Sequence, residues 1–303
     1  MKIRPGDSKI FQIVRRVGKA KIPSGGFALI GVPDDRGVAI GGGRTGAKHG
    51  PDAIRKELFK MTLGLKGELE KIKLWDFGNL KLEKTQEAIY KKLNDLVLSL
   101  LEKNVFPIIL GGGHDLSFGS LGGFLKKYPR GGIINIDPHL DCRPPEAKGK
   151  YSSGTAFHNL IEKSKLPGKN LLEFGYQPHC NAKKHFEYLK KSGVKFVPFA
   201  SSLSLRGPKG ALGIPVFKKF FNKTALAISF DMDSVQALDA PGVSALAPIG
   251  YTAREALVIV QTLAHQKNMK MFEIMEVNPR FDPDHRTAKL AARLIFEILL
   301  SRI

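Results

Sequence analysis

Eight short runs of apolar, β-prone residues recur along the chain, at 27–32, 73–77, 106–110, 132–136, 170–174, 195–199, 226–230 and 271–275. Between them lie helical patterns, clearest at 83–102, 253–266 and 287–302, where apolar residues fall three and four apart. Apolar runs alternating with helices of this kind predict a parallel sheet in a doubly wound α/β fold. Two stretches rich in Gly, Ser and Pro, 37–51 and 201–215, read as long loops. Long loops in a compact domain are often functional. No internal repeat, heptad seam or low-complexity tract interrupts the pattern, and 303 residues suit one α/β domain spanning 1–303.

Four of the apolar runs end in polar signatures. FPIIL leads into GGGHD with His114 and Asp115, and GIINI leads into DPHLD with Asp137, His139 and Asp141. LAISF leads into DMD with Asp231 and Asp233, and MFEIM leads into EVN with Glu276. In an open parallel sheet the ligand crevice lies outside the carboxyl ends of the strands, so these signatures should converge there. Pro138 cannot donate to a sheet ladder, so its strand should stop near Asp137 and leave His139 and Asp141 on a loop.

A single His or Asp at a strand end is usually a structural hydrogen-bonding group. Six in one crevice are different, because four carboxylates packed together repel unless something neutralises them. Two divalent cations would do so. Oxygen and imidazole donors without thiolate suit a hard or borderline metal, manganese among them. Two such ions about 3.5–4 Å apart activate water at neutral pH and polarise the group it attacks, which makes metal-assisted hydrolysis the expected chemistry.

The rest of the composition narrows the field. Apolar residues make up 43% and charged residues 25%, ordinary for a globular protein. The net charge of +20 raises the question of nucleic acid, yet the lysines are scattered as pairs without interleaved aromatics. A solvated surface explains them better, with steering of a small anion as an added possibility. The apolar runs are far too short to span a bilayer, and no signal-peptide core opens the chain, so a cytoplasmic protein free of membrane is expected. Cys142 and Cys180 should be free thiols.

In order and at suitable separations, GGGHD, DPHLD, SFDMD and EVNP resemble the GGxH, DAHxD, SxDxD and E-x-N-P pattern of the arginase/agmatinase/formimidoylglutamase family. The change within these cores is Pro138 in place of the usual Ala. The resemblance runs over most of the chain and implies a three-layer α/β/α fold with about eight parallel strands, together with two Mn2+ per chain. It implies further that His114 and Asp141 belong to one ion, His139 and Asp233 to the other, and that Asp137 and Asp231 bridge them. The family is generally homo-oligomeric.

Within the family, GVAIGGGRTGAKHGPDAIR, KYSSGTAF, DAPGVSA and NPRFDPDHRTAKLAARL are most similar to the formimidoylglutamase versions of those stretches. Ser153 stands where arginases and agmatinases carry a proton-shuttling His, and a hydroxyl does not exchange protons near neutral pH as imidazole does. Arg143, two residues after Asp141, stands where arginases carry a carboxylate-binding Asn. N-formimidoyl-L-glutamate has two carboxylates and a cationic formimidoyl group, so Arg143 suits one end and Glu276 the other. Arg44, on the long loop, is a candidate second anion contact, and Ser153 a candidate substrate contact. The resemblance thus implies hydrolysis to L-glutamate and formamide, with Asp141 carrying the proton to the leaving amine. Agmatinase or another guanidino-compound amidinohydrolase is the nearest alternative, although Arg143 would repel the amine tail of agmatine. A non-catalytic relative would have no need of all six ligands.

Overall fold

The computed structural model describes residues 6–18, 22–204 and 215–302. Among them nine strands form one sheet in the order β1-β3-β2-β4-β9-β8-β5-β6-β7, with every pairing parallel. The strands are β1 (Val14–Arg16), β2 (Phe27–Gly31), β3 (Leu74–Asn79), β4 (Phe106–Leu110), β5 (Gly132–Ile136), β6 (Leu171–Tyr176), β7 (Lys195–Pro198), β8 (Leu226–Asp231) and β9 (Met269–Met275). All eight predicted runs are strands. The ninth, β1, pairs only with β3 at the edge, and its sequence VRR is too short and too charged to show as an apolar run. Strand β5 stops at Ile136, just ahead of Pro138, as the missing N–H of proline requires.

Alternate residues along the strands feed two apolar cores. Leu29, Ile108, Ile134, Ile228 and Phe272 pack on one face, with the helices Gly50–Phe59, Ala253–Ala264 and Arg286–Leu300. Ala28, Ile30, Ile109, Ile133 and Ala227 pack on the other, with the helices Gln86–Glu102 and Ser117–Lys127. This period of two, with burial on both faces, gives the three-layer arrangement.

The helix Ser117–Lys127, SFGSLGGFLKK, is poor in helix formers and gives no clear sequence signal. Its glycines serve packing: a Cβ on Gly123 would lie 2.5 Å from the Asn94 carbonyl oxygen of the neighbouring helix. The loop expected over 37–51 is largely helical instead, with an α-helix at Arg36–Ile40, a 3-10 turn at Ala47–His49 and a helix beginning at Gly50. The loop expected over 201–215 begins within the helix Phe199–Ser204 and ends where Pro215 opens another, while 205–214 lie outside the described residues. Over 37–51 buried apolar residues such as Val38 outweigh the local glycine content. No helix among the described residues is long and apolar enough to cross a membrane.

One topological feature positions the site. Strands β8 and β9, late in the chain, fill the gap between β4 and β5, so the four strands that end in polar signatures lie side by side.

Candidate metal centre

The DPH and DMD segments turn off their strands in the same way. Asp137 Oδ1 accepts the backbone N–H of His139 at 2.7 Å, and Asp231 Oδ1 accepts that of Asp233 at 2.8 Å. An aspartate that caps the N–H two residues on makes a tight turn, which explains why the ligand types recur at a spacing of two. The GGGHD segment is pressed against the loop after β2: a Cβ on Gly112 would lie 1.9 Å from the Asp34 carbonyl oxygen. Only glycine fits there.

These turns bring six side chains together. His114 Nδ1 stands 3.1 Å from Asp137 Oδ2, 3.0 Å from Asp141 Oδ2 and 2.9 Å from Asp231 Oδ2. His139 Nδ1 stands 3.3 Å from both Asp137 Oδ1 and Asp233 Oδ2. Two groups of ligand atoms result, one from His114, Asp137, Asp141 and Asp231 and one from Asp137, His139 and Asp233. Asp137 is common to both. Asp231 falls in the first group alone in this geometry, whereas a bridging place was expected for it.

The electrostatics fit a cation site. Burial, and then Asp233 and Asp137, push Asp231 well above the usual carboxylate range. Burial also raises Asp233, to about 6, against the opposing pull of His139. Burial works against a charged His114, yet Asp137, Asp141 and Asp231 outweigh it and hold the imidazole protonated well above its ordinary range. A buried cluster this short of positive charge accepts either protons or metal ions. Asp233 Oδ1 and Glu276 Oε2 are buried without a hydrogen-bond partner. Two imidazoles, four carboxylates and no coordinating thiolate therefore fit two hard or borderline divalent cations.

Four of the ligands, His139, Asp141, Asp231 and Asp233, line a cleft of about 310 Å³ together with Arg143, Ser153 and Glu276. Arg143 is exposed, held through its backbone N–H to the Gly154 carbonyl, and its guanidinium makes no ion pair or hydrogen bond among the described residues. Glu276 does not pair with the nearby Arg280. Its Oε1 accepts the backbone N–H of His114 at 2.9 Å. Both Asp141 and Glu276 take left-handed backbone conformations, with φ of 39° and 65°, an uncommon and costly choice for non-glycine residues that concentrates at functional sites.

Arg44 departs from expectation. Its Nε and Nη2 donate to the carbonyls of Ser244 and Val243 at 3.0 and 2.6 Å, its guanidinium sits 4.2 Å from the Phe281 ring, and it does not line the cleft. Two of its donors are engaged by backbone carbonyls and the side chain lies outside the cleft lining, so Arg44 braces the 243–244 loop and is not a substrate contact in this geometry. Gln86 carries no sequence signal. It clamps Tyr151 by donating to its carbonyl at 2.7 Å and accepting its N–H at 3.2 Å, which fixes the wall that continues into Ser152 and Ser153. Both cysteines are free.

A doubly wound sheet that gathers such a donor set at the ends of its central strands defines the class, a metal-dependent hydrolase built on a parallel α/β scaffold. The chain belongs to the arginase family, whose profile matches residues 26–301. It is 35% identical over 289 residues to a formimidoylglutamase of Clostridium tetani, covering 90% of this chain and 82% of that one. A formimidoylglutamase of Streptococcus pyogenes is 32% identical over 281 residues, covering 90% and 84%. The crystal structure of Trypanosoma cruzi formiminoglutamase with Mn2+ superposes with a TM-score of 0.88 at 29% identity, covering 98% of each chain.

Proposed function

We propose that this protein is a manganese-dependent enzyme that hydrolyses N-formimidoyl-L-glutamate to L-glutamate and formamide, with the whole chain working as one catalytic unit. The observation that carries the reading is the pairing of charges across one cleft: Arg143 stands unpaired at the rim, and Glu276 presents a free carboxylate oxygen at the floor. The substrate has the complementary pattern, carboxylates at one end and an amidine cation at the other. The names of the relatives and the manganese of the Trypanosoma cruzi structure support the same choice.

His114, Asp137, His139, Asp141, Asp231 and Asp233 would hold two Mn2+. Bound there, the ions would supply water made nucleophilic at neutral pH and positive charge opposite the developing tetrahedral oxyanion. The chain's own residues do the rest. Arg143 grips a substrate carboxylate through its planar fork. Glu276 Oε2 accepts hydrogen bonds from the formimidoyl nitrogens, and because Oε1 is anchored on His114 the carboxylate cannot swing away. Asp141, in the cleft wall, carries the proton that the glutamate nitrogen needs in order to leave. Ser153 offers a hydroxyl contact beside Arg143. The family resemblance further supports a cytoplasmic homo-oligomer, and sedimentation of the purified protein checks the assembly.

The decisive experiment offers manganese-loaded protein N-formimidoyl-L-glutamate, agmatine, arginine and guanidinobutyrate in parallel. The first should be turned over with the highest kcat/KM. Preference for a guanidino compound would overturn the substrate assignment while leaving the hydrolase class standing.

A further inference from the structure

Beneath the metal ligands, four fully buried polar side chains lie in one row across the centre of the sheet. The register pairs Glu173 of β6 with Asn135 of β5, Asn135 with Ser229 of β8, and Ser229 with Glu273 of β9. Residues two apart on a strand face the same way, so Asn135 stands under Asp137 and Ser229 under Asp231. Carboxylates in the dry centre of a sheet are costly unless hydrogen-bonded, and nothing in the fold of the strands requires them. Their place in the otherwise apolar runs LLEF and MFEIM therefore calls for a reason beyond packing.

The hydrogen bonds supply one. Ser229 Oγ donates to Glu273 Oε1 at 2.7 Å, and the hydroxyl of Ser120, on the overlying helix, donates to the other oxygen of Glu273. Ser229 Oγ also lies 2.9 Å from His114 Nε2. A serine hydroxyl has a single proton. With that proton committed to the carboxylate, the hydroxyl turns its lone pairs to the ring, and Nε2 must carry the hydrogen. In the neutral imidazole the bare nitrogen is then Nδ1, the atom that faces Asp137, Asp141 and Asp231.

We propose that Glu273, acting through Ser229, is a positioning residue that fixes the tautomer and orientation of His114 and so presents Nδ1 to a divalent cation. The inference rests on reading the cluster as a two-cation centre. It also predicts asymmetry. The His139 ion has no share in this relay, because His114 belongs to the first group of ligand atoms alone. The other end of the row, where Asn135 donates to Glu173 at 2.9 Å and to Asp137 at a long 3.4 Å, touches the aspartate common to both groups.

The test titrates chelator-treated protein with Mn2+ alone and follows free Mn2+ by electron paramagnetic resonance, with circular dichroism and the melting temperature as controls for folding. Wild-type protein should bind two ions. Ser229→Ala should weaken one of them by about 10–100-fold, the usual effect of removing the partner of a metal-bound histidine, and leave the other unchanged. In a His114→Ala background the same substitution should have no further effect. Glu273→Gln, which keeps a carbonyl for Ser229 but loses the anion, should weaken the same ion by a smaller factor. Folded Ser229→Ala with both affinities intact, or with both ions weakened equally, would overturn the proposal. If Ser229→Ala does not fold, unchanged binding in Glu273→Gln overturns it instead. Wild-type protein that takes up no Mn2+ would be a different failure, that of the metal reading itself.

Discussion

Across 162 residues of chain, Glu276 Oε1 accepts the backbone N–H of His114 at 2.9 Å, tying the turn after β9 to the turn after β4. One oxygen of the carboxylate is thus structural and the other, Oε2, is buried and unengaged. Glu276→Gln can keep the first contact through its amide oxygen but has no anion for the formimidoyl cation. Steady-state kinetics should show kcat/KM falling by about a hundredfold or more, as for removal of one partner from a desolvated charge pair, with metal content unchanged. Activity within threefold of wild type would remove Glu276 from the substrate contacts.

Arg143 is exposed, so its ion pair with substrate forms in a wetter setting than that of Glu276. The loss in Arg143→Ala should be nearer about ten- to a hundredfold in kcat/KM and appear chiefly in KM, because a contact made equally in the ground and transition states is uniform binding. Arg143→Lys should recover part of it, a point charge being a poor copy of the planar fork. Unchanged KM for N-formimidoyl-L-glutamate in Arg143→Ala would end its assignment to the carboxylate.

Ser153 lines the cleft, and no hydrogen-bonded base adjoins it among the described residues. Ser153→Ala should cost less than about tenfold in kcat, since a hydroxyl without a base contributes hydrogen bonding and no proton transfer. A collapse of kcat with normal metal content would show that the hydroxyl takes part in the chemistry.

In metal-stripped protein the cluster must hold protons in place of cations. Burial raises Asp233 to about 6 against an unfolded value near 3.8, and the facing carboxylates hold His114 protonated well above its ordinary range. In both cases the folded chain binds more protons than the unfolded chain, so stability falls as pH rises, from about pH 4 to 6 through Asp233 and above pH 6.5 through His114. Manganese replaces those protons. The gap in melting temperature between manganese-loaded and chelated protein should therefore widen from pH 6 to pH 8, and calorimetry in buffers of different ionisation enthalpy should register proton release on binding. A gap that narrows with rising pH would contradict this account.

The seven interior strands were legible because burial leaves a largely apolar run, and the ligands because each follows such a run directly. Strand β1 was not, since an edge strand of three residues buries too little to impose a pattern. Nor was Ser117–Lys127, where glycines that disfavour a helix locally are required by the close approach of its neighbour. Arg44 misled because residue type names a chemistry without saying which acceptor is nearest, and here the nearest are the carbonyls of Val243 and Ser244. Gln86 and Glu273 were silent for the opposite reason: what they do depends on partners 65 and 44 residues away, which no local pattern records.

The late arrival of β8 and β9 carries a consequence for how the chain reaches its native state. Until residues beyond Leu226 have emerged, β4 and β5 each lack a neighbour, and the apolar edges of both stand open. Open, flat, hydrophobic strand edges are templates for pairing with other chains. A ribosome-bound or truncated chain ending near residue 224 is thus the aggregation-prone species, and closure of the gap, a long-range pairing that is intrinsically slow, is the step at which a chaperone or a supply of free Mn2+ would have most influence on yield.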